Sequence, residues 1–209
     1  MPKYGALAHL LAAFPAITSL TLDLCCMGGE ACGSALLRHD TLRSLHIYEP
    51  EGFACDPPLA MAYSFPQLRY AKFELQTPDD TDEVCIEGPM QLLINGLSTL
   101  HSLEFDVEID MAKLLPALRN MPFLESLVCD RGHPDEGFCA ALASPSYTGW
   151  LCPRLKLVTL RMELAELQEC TDAISARNDA QTAGADIARV ERLTSLSPEG
   201  VVEDVIKFV

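Results

Sequence analysis

Apolar positions along this chain recur in one phrase: an apolar residue, two variable residues, a second apolar residue, one variable residue and a third apolar residue. The phrase occurs six times, at Ile17/Leu20/Leu22, Leu42/Leu45/Ile47, Leu68/Ala71/Phe73, Leu100/Leu103/Phe105, Leu124/Leu127/Cys129 and Leu155/Val158/Leu160. The second and third anchors lie two apart, the period of a strand with one buried face. Four phrases carry Pro two residues before the first anchor, at Pro15, Pro66, Pro122 and Pro153. Proline ends a preceding helix and holds its neighbour extended, so each phrase predicts a helix, a Pro corner and a short strand. First anchors are 25, 26, 32, 24 and 31 residues apart by subtraction, long enough for a returning helix.

The segments between phrases have helical spacing. Ala6, Leu10 and Leu11 form one stripe, Leu92, Leu93 and Leu97 a second after Pro89, and Met111, Leu114, Leu115 and Leu118 a third. A unit of this size cannot bury its apolar face alone and must stack on its neighbours. The phrase is the strand signature of a leucine-rich repeat. It predicts an α/β solenoid of about six to seven irregular repeats, with parallel strands on the concave face and helices on the convex face. The expected organisation is one domain over 1–209, with an N-terminal helix over 1–14, six repeats over 15–162, and a loosened last repeat with a closing C-terminal helix over 163–209.

Past Leu160 the rhythm loosens. Leu164, Leu167, Thr171 and Ile174 predict a helix, and the polar run from Asn178 to Asp186 a loop or frayed helical end. Val190, Leu193 and Ser195 offer a seventh phrase with a polar third anchor. Ser197, Pro198 and Glu199 read as an N-cap, first-turn proline and acidic first turn, opening a helix with Val202, Val205 and Ile206 inward. Between Asp130 and Pro145, two Gly and two Pro predict a long insertion with a short central helix.

Composition narrows the function classes. Fifteen basic residues against thirty acidic give a formal charge of −15, which opposes binding to a phosphate backbone and favours a basic or neutral protein partner. No nucleic acid or membrane partner is expected, since no apolar run reaches the ~20 residues that span a bilayer. The first residues imitate a signal peptide poorly, and no glycosylation acceptor occurs. The nine cysteines are odd in number and contain no C-x-x-C pair, so buried reduced thiols are expected in a cytoplasmic or nuclear protein. Cys129 falls on an inward anchor, and Cys25 stands three residues after Leu22.

Residues flanking the second and third anchors project from the opposite strand face. One column reads Thr21, His46, Lys72, Glu104, Val128 and Thr159, and the next reads Asp23, Tyr48, Glu74, Asp106, Asp130 and Arg161; four of the latter six are acidic. Tyr48 is the aromatic suited to anchor a partner. Glu104, Asp106, Glu108 and Asp110 alternate, but a strand ending near Val107 would leave them a solvated face rather than a cation site. Asp79 to Glu83 reads as a solvated acidic loop.

Gly28, Gly29 and Gly33 read as a turn before a helix. The five histidines sit in different repeats, with no nucleophile or phosphate-loop motif beside them. No catalytic residue, cofactor or metal is therefore expected.

Phe14-Pro15-x-Ile17-x-x-Leu20-x-Leu22, Phe65-Pro66-Gln67-Leu68 and Leu151-Cys152-Pro153-Arg154-Leu155, with the Ser-Pro-Glu segment, resemble the irregular leucine-rich repeats of fungal F-box proteins. In that family the F-box binds the Skp adaptor of a cullin ubiquitin ligase and the repeats hold the substrate. The resemblance covers Phe14 to Val209 and carries over to the repeats alone, because phrases begin by Pro15 and leave no room for an F-box. A Skp or cullin link is expected only if an F-box lies upstream. The alternatives are a leucine-rich-repeat regulator of a GTPase or other enzyme, disfavoured by the irregular spacing and missing acidic tail, and a truncated product without independent function.

Overall fold

In a computed structural model, residues 11–23, 37–49, 63–75, 96–147, 149–197 and 201–208 are described. The chain forms two compact units, Met1–Leu100 and His101–Val209. The architecture is α/β with mostly parallel strands.

In the first unit, β1 (Ser19–Asp23), β3 (Ser44–Glu49) and β5 (Tyr70–Leu75) pair in parallel, while β2 (Leu37–Arg38) and β4 (Tyr63–Ser64) make a separate short parallel ladder. Leu20 stands opposite Leu45 and Leu45 opposite Ala71, and Leu22, Ile47 and Phe73 align in the same way. All six side chains are buried. Register thus follows the anchors, because a one-residue slip would turn the apolar set outward.

The second unit runs β6 (Ser102–Asp110), α1 (Met111–Leu118), β7 (Ser126–His133), α2 (Glu136–Ala143), β8 (Leu157–Arg161), α3 (Leu164–Thr182), β9 (Arg192–Leu196) and β10 (Val202–Lys207). β6, β7, β8 and β9 are parallel in that order, and β10 joins β9 antiparallel. Leu103, Leu127, Val158 and Leu193 form one buried row and Phe105, Cys129, Leu160 and Ser195 the next. Met111, Leu114 and Leu118 from α1 and Phe138 and Leu142 from α2 complete the core. The seventh phrase is therefore a strand, with its polar third anchor buried.

Two backbone devices repeat with the phrase. Each of the four prolines stands second in a turn closed by a hydrogen bond: Ile17 N donates to Phe14 O, Leu68 N to Phe65 O, Leu124 N to Met121 O and Leu155 N to Cys152 O, at 3.2, 3.0, 3.3 and 2.9 Å. Proline's fixed φ suits that position, so it sets the corner as well as ending a helix. The residue after the first anchor also offers its carbonyl to two successive N–H groups of the next phrase. Thr18 O accepts from Arg43 and Ser44, Arg43 O from Arg69 and Tyr70, His101 O from Glu125 and Ser126, Glu125 O from Lys156 and Leu157, and Lys156 O from Glu191 and Arg192, all within 3.2 Å.

Side chains reinforce the first of these joints. Thr41 Oγ1 donates to Ile17 O at 2.8 Å, and Thr99 Oγ1 to Leu68 O at 2.9 Å. Both threonines precede a first anchor and bond the carbonyl of the preceding one.

Three expectations are corrected. The closing C-terminal helix is instead β10: Val202 and Val205 are exposed rather than inward, and Ile206 is half-buried. β-branched Val201, Val202, Val205 and Ile206 suit a strand, and the edge of β9 supplies its backbone partners. Ser197 still bonds locally, its Oγ accepting from Val201 N at 3.3 Å while its own N donates to Val201 O at 2.8 Å.

The strand after Leu103 does not stop near Val107 but continues to Asp110, through a register shift between Phe105 and Glu108. The polar run from Asn178 is helical as far as Thr182, because its inner face is tied down rather than solvated. The short helix foreseen between Asp130 and Pro145 is α2, capped by Asp135, whose carboxylate accepts from Phe138 N at 2.8 Å. Leu11–Ala13 is helical. Residues 1–10, Leu92 and Leu93, Cys25, the Gly28–Gly33 turn and the Asp79–Glu83 loop lie outside the described residues.

Candidate partner-binding face

Strand alternation sends the anchors to the core and their neighbours to the other face. In the first unit, Thr21, His46 and Lys72 align across β1, β3 and β5, and Asp23, Tyr48 and Glu74 align beside them. Both predicted columns are thus brought together here. Thr21 is exposed, whereas His46, Tyr48, Lys72 and Glu74 are half-buried; the side chain of Asp23 lies outside the described residues.

Glu74 is the centre of this group. Its Oε1 lies 2.6 Å from Lys72 Nζ and 3.2 Å from His46 Nε2. Lys72 and Glu74 are two apart on one strand, so alternation itself puts them side by side, while His46 reaches across from β3. Hydrogen bonding from Lys72 holds the Glu74 carboxyl below the usual carboxylate range, against partial burial that pulls the other way.

In the second unit, Glu104, Val128, Thr159 and Thr194 align across β6, β7, β8 and β9, each half-buried. Thr194 extends the predicted column by one member, its signal being the seventh phrase. The second column is not straight here. Two residues of β6, Asp106 and Val107, oppose one of β7, Asp130, so the register shifts as at a β-bulge.

Beyond that shift Arg131 also reaches this group, with its Nε 3.2 Å from Asp106 Oδ1. The phrase ends at Cys129 and carries no sign of the bulge, so the pattern misses Arg131. Arg161 is half-buried on β8, and its Nε has no hydrogen-bond partner among the described residues. Glu125 and Lys156 pair at 3.1 Å between the starts of β7 and β8.

These pairs change the electrostatic reading. Of the four acidic members of the second column, Glu74 and Asp106 face cations on the same or an adjacent strand. The acidic count therefore overstates the negative field of the strand faces. They present side chains of mixed character on paired strands, with Glu74 already paired to Lys72 and close to His46.

Among the described residues, no three His, Cys, Asp or Glu side chains converge as metal ligands, and no helix is long and apolar enough to cross a membrane. Comparisons with protein-family models, with curated proteins and with solved structures found no match.

Proposed function

We propose that this chain is an irregular leucine-rich-repeat solenoid that binds another protein on its strand face, in the manner of the substrate-recognition region of an F-box ubiquitin-ligase receptor. The observation that carries this reading is the fivefold recurrence of one backbone joint: the carbonyl after a first anchor accepts two N–H groups from the next phrase. A joint that recurs at one place in the phrase is what a stack of like units requires.

The flanking columns support a binding role. Tyr48, Glu74, Glu104, Val128 and Thr159 are half-open on strands whose other face is buried. The partner is a protein with a neutral or mixed surface, since the ion pairs leave less net charge than the composition implies. The proposed compartment is cytoplasmic or nuclear, and the Skp and cullin link holds only where an F-box lies upstream.

A photo-crosslinking residue placed separately at positions 48 and 128, and at helix-side positions 113 and 119, tests this. One protein captured from both strand positions and from neither helix position is the expected result. Equal capture from both sides, or none from a chain that retains its circular dichroism, would overturn the binding face and favour a product without independent function.

A further inference from the structure

Cys139 and Cys170 stand out among the groups that the proposed face does not use. Cys139 lies on α2 and Cys170 on α3, and their sulfurs are 3.4 Å apart. Both are free thiols, as are Cys129 and Cys152. A disulfide needs an S–S separation of ~2.05 Å, so the bond requires an approach of about 1.4 Å, within reach of small side-chain rotations.

The two sulfurs are unequal. Cys139 is 8% exposed and opens on a cleft of about 390 Å³ between the two helices, while Cys170 is 0% exposed behind it. Glu136, Glu169 and Asp172 line that cleft together with alanine side chains.

We infer that Cys139 and Cys170 form a reversible dithiol–disulfide modification site, entered from the α2–α3 cleft and selective for neutral or cationic oxidants. Cys139 is the attacking sulfur because it alone of the pair meets solvent. Its thiol is also held below the ordinary value by its hydrogen bond with Cys170, although burial and the carboxylates of Glu169, Asp135 and Glu166 pull the other way. Burial pushes the thiols of Cys129 and Cys152 up, the latter to about 12, so those two are poor nucleophiles.

With hydrogen peroxide, the Cys139 thiolate attacks one oxygen, the O–O bond breaks, and Cys139 becomes a sulfenic acid as hydroxide leaves. The sulfur of Cys170 then displaces the sulfenic oxygen, which departs as water, so two thiols and one peroxide give one disulfide and two waters. With a small disulfide, Cys139 first forms a mixed disulfide, and Cys170 then expels the second thiol. The acidic lining repels glutathione disulfide, which is anionic, and attracts cystamine, which is dicationic. In a reducing compartment such a bond is transient and reports oxidant.

The test treats the reduced full-length chain with peroxide, cystamine or glutathione disulfide, blocks remaining thiols and maps a non-reducing tryptic digest. The expected product joins peptide 132–154 through Cys139 to peptide 162–177 through Cys170, with Cys129 and Cys152 still blockable after denaturation. It should revert with dithiothreitol. Cystamine should outrun glutathione disulfide by on the order of tenfold at low ionic strength, and the gap should narrow in salt.

A bond through Cys152, oxidation of Cys129 at a comparable rate, or adducts on Cys139 that never resolve would overturn the site. Glutathione disulfide reacting as fast as cystamine at low salt would overturn the selectivity. Cys170→Ser should stall at a Cys139 adduct, but the wild-type map decides the matter whether or not that variant folds.

Discussion

Asn178 holds both backbone groups of Val190: its Oδ1 accepts from Val190 N at 2.9 Å, and its Nδ2 donates to Val190 O at 3.0 Å. Asn178 is buried on α3, and Val190 is the first anchor of the seventh phrase. A side-chain amide thus supplies a donor and an acceptor where the backbone enters β9. Asn178→Ala should leave both groups buried without their partner. Each such group costs ~1–3 kcal/mol, so a loss of about 2–6 kcal/mol is expected. Urea unfolding with an unchanged m-value checks it, and a loss within error would mean that water takes over both bonds.

One residue back along α3, Arg177 is fully buried, its Nη1 donating to Leu151 O at 2.9 Å and its Nη2 to Cys152 O at 2.8 Å, with Trp150 5.5 Å beneath its guanidinium. Cys152 has φ +40°, a region that costs a non-glycine residue ~1–2 kcal/mol, and the arginine fork helps to hold it there. Burial pulls the guanidinium pKa down. Arg177→Met removes that buried charge and keeps the volume, while Cys152 O retains Leu155 N as a donor. Its cost should therefore be near that of one orphaned carbonyl, ~1–3 kcal/mol.

Arg177→Lys should cost more at neutral pH, because it keeps the charge and loses the fork. A buried lysine has a folded pKa below its unfolded one. The Lys variant alone should therefore regain stability as pH rises from the folded value toward the ordinary lysine range. Fluorescence of Trp150, the only tryptophan, follows unfolding in both variants.

The anchors were legible because burial on one strand face forces a period of two, and every second and third anchor from Leu20 to Leu160 is buried. β10 was not legible. In sequence alone, Ser197, Pro198 and Glu199 read as a sound local helix start, and only pairing with the edge of β9 decides for a strand at Val202–Lys207. Strand pairing is a tertiary fact that a local signal cannot carry. Arg131 was missed for a related reason: the bulge opposite Asp130 shifts which residues reach Asp106, and no residue in the phrase announces it. The extension of α3 through Asn178 was hidden because a polar side chain bonded to Val190 resembles, in sequence, one facing water.

Glu74 makes the strand face pH-sensitive. Its folded pKa is depressed by Lys72, so its contribution is fully present above the ordinary carboxylate range and is lost as pH falls through the folded value. Lys72→Met should raise the Glu74 pKa toward the ordinary range, read by NMR titration of its carboxyl carbon. The stability gap between wild type and variant should be about 0–1 kcal/mol at neutral pH and shrink in acid. A Glu74 titration unmoved by the substitution would mean that the ion pair is not populated in solution.

Gly132 lies on β7 just beyond the point facing the bulge of β6, and is itself buried. A Cβ placed there would lie 2.5 Å from Cys129 Cβ and 3.1 Å from Met111 Sδ. The first approach is closer than carbon atoms tolerate, and a Cβ cannot swing aside without moving its own strand. The second involves a flexible thioether that can yield. Gly132→Ala should thus displace β7 at Cys129 and cost about 1–3 kcal/mol, the usual range for overpacking. Adding Met111→Ala should not restore stability, because it relieves only the softer contact and leaves a cavity of its own under α1. Thermal melts of the single and double variants distinguish the cases: recovery in the double variant would place the clash at Met111 and leave the backbone at Cys129 free to adjust.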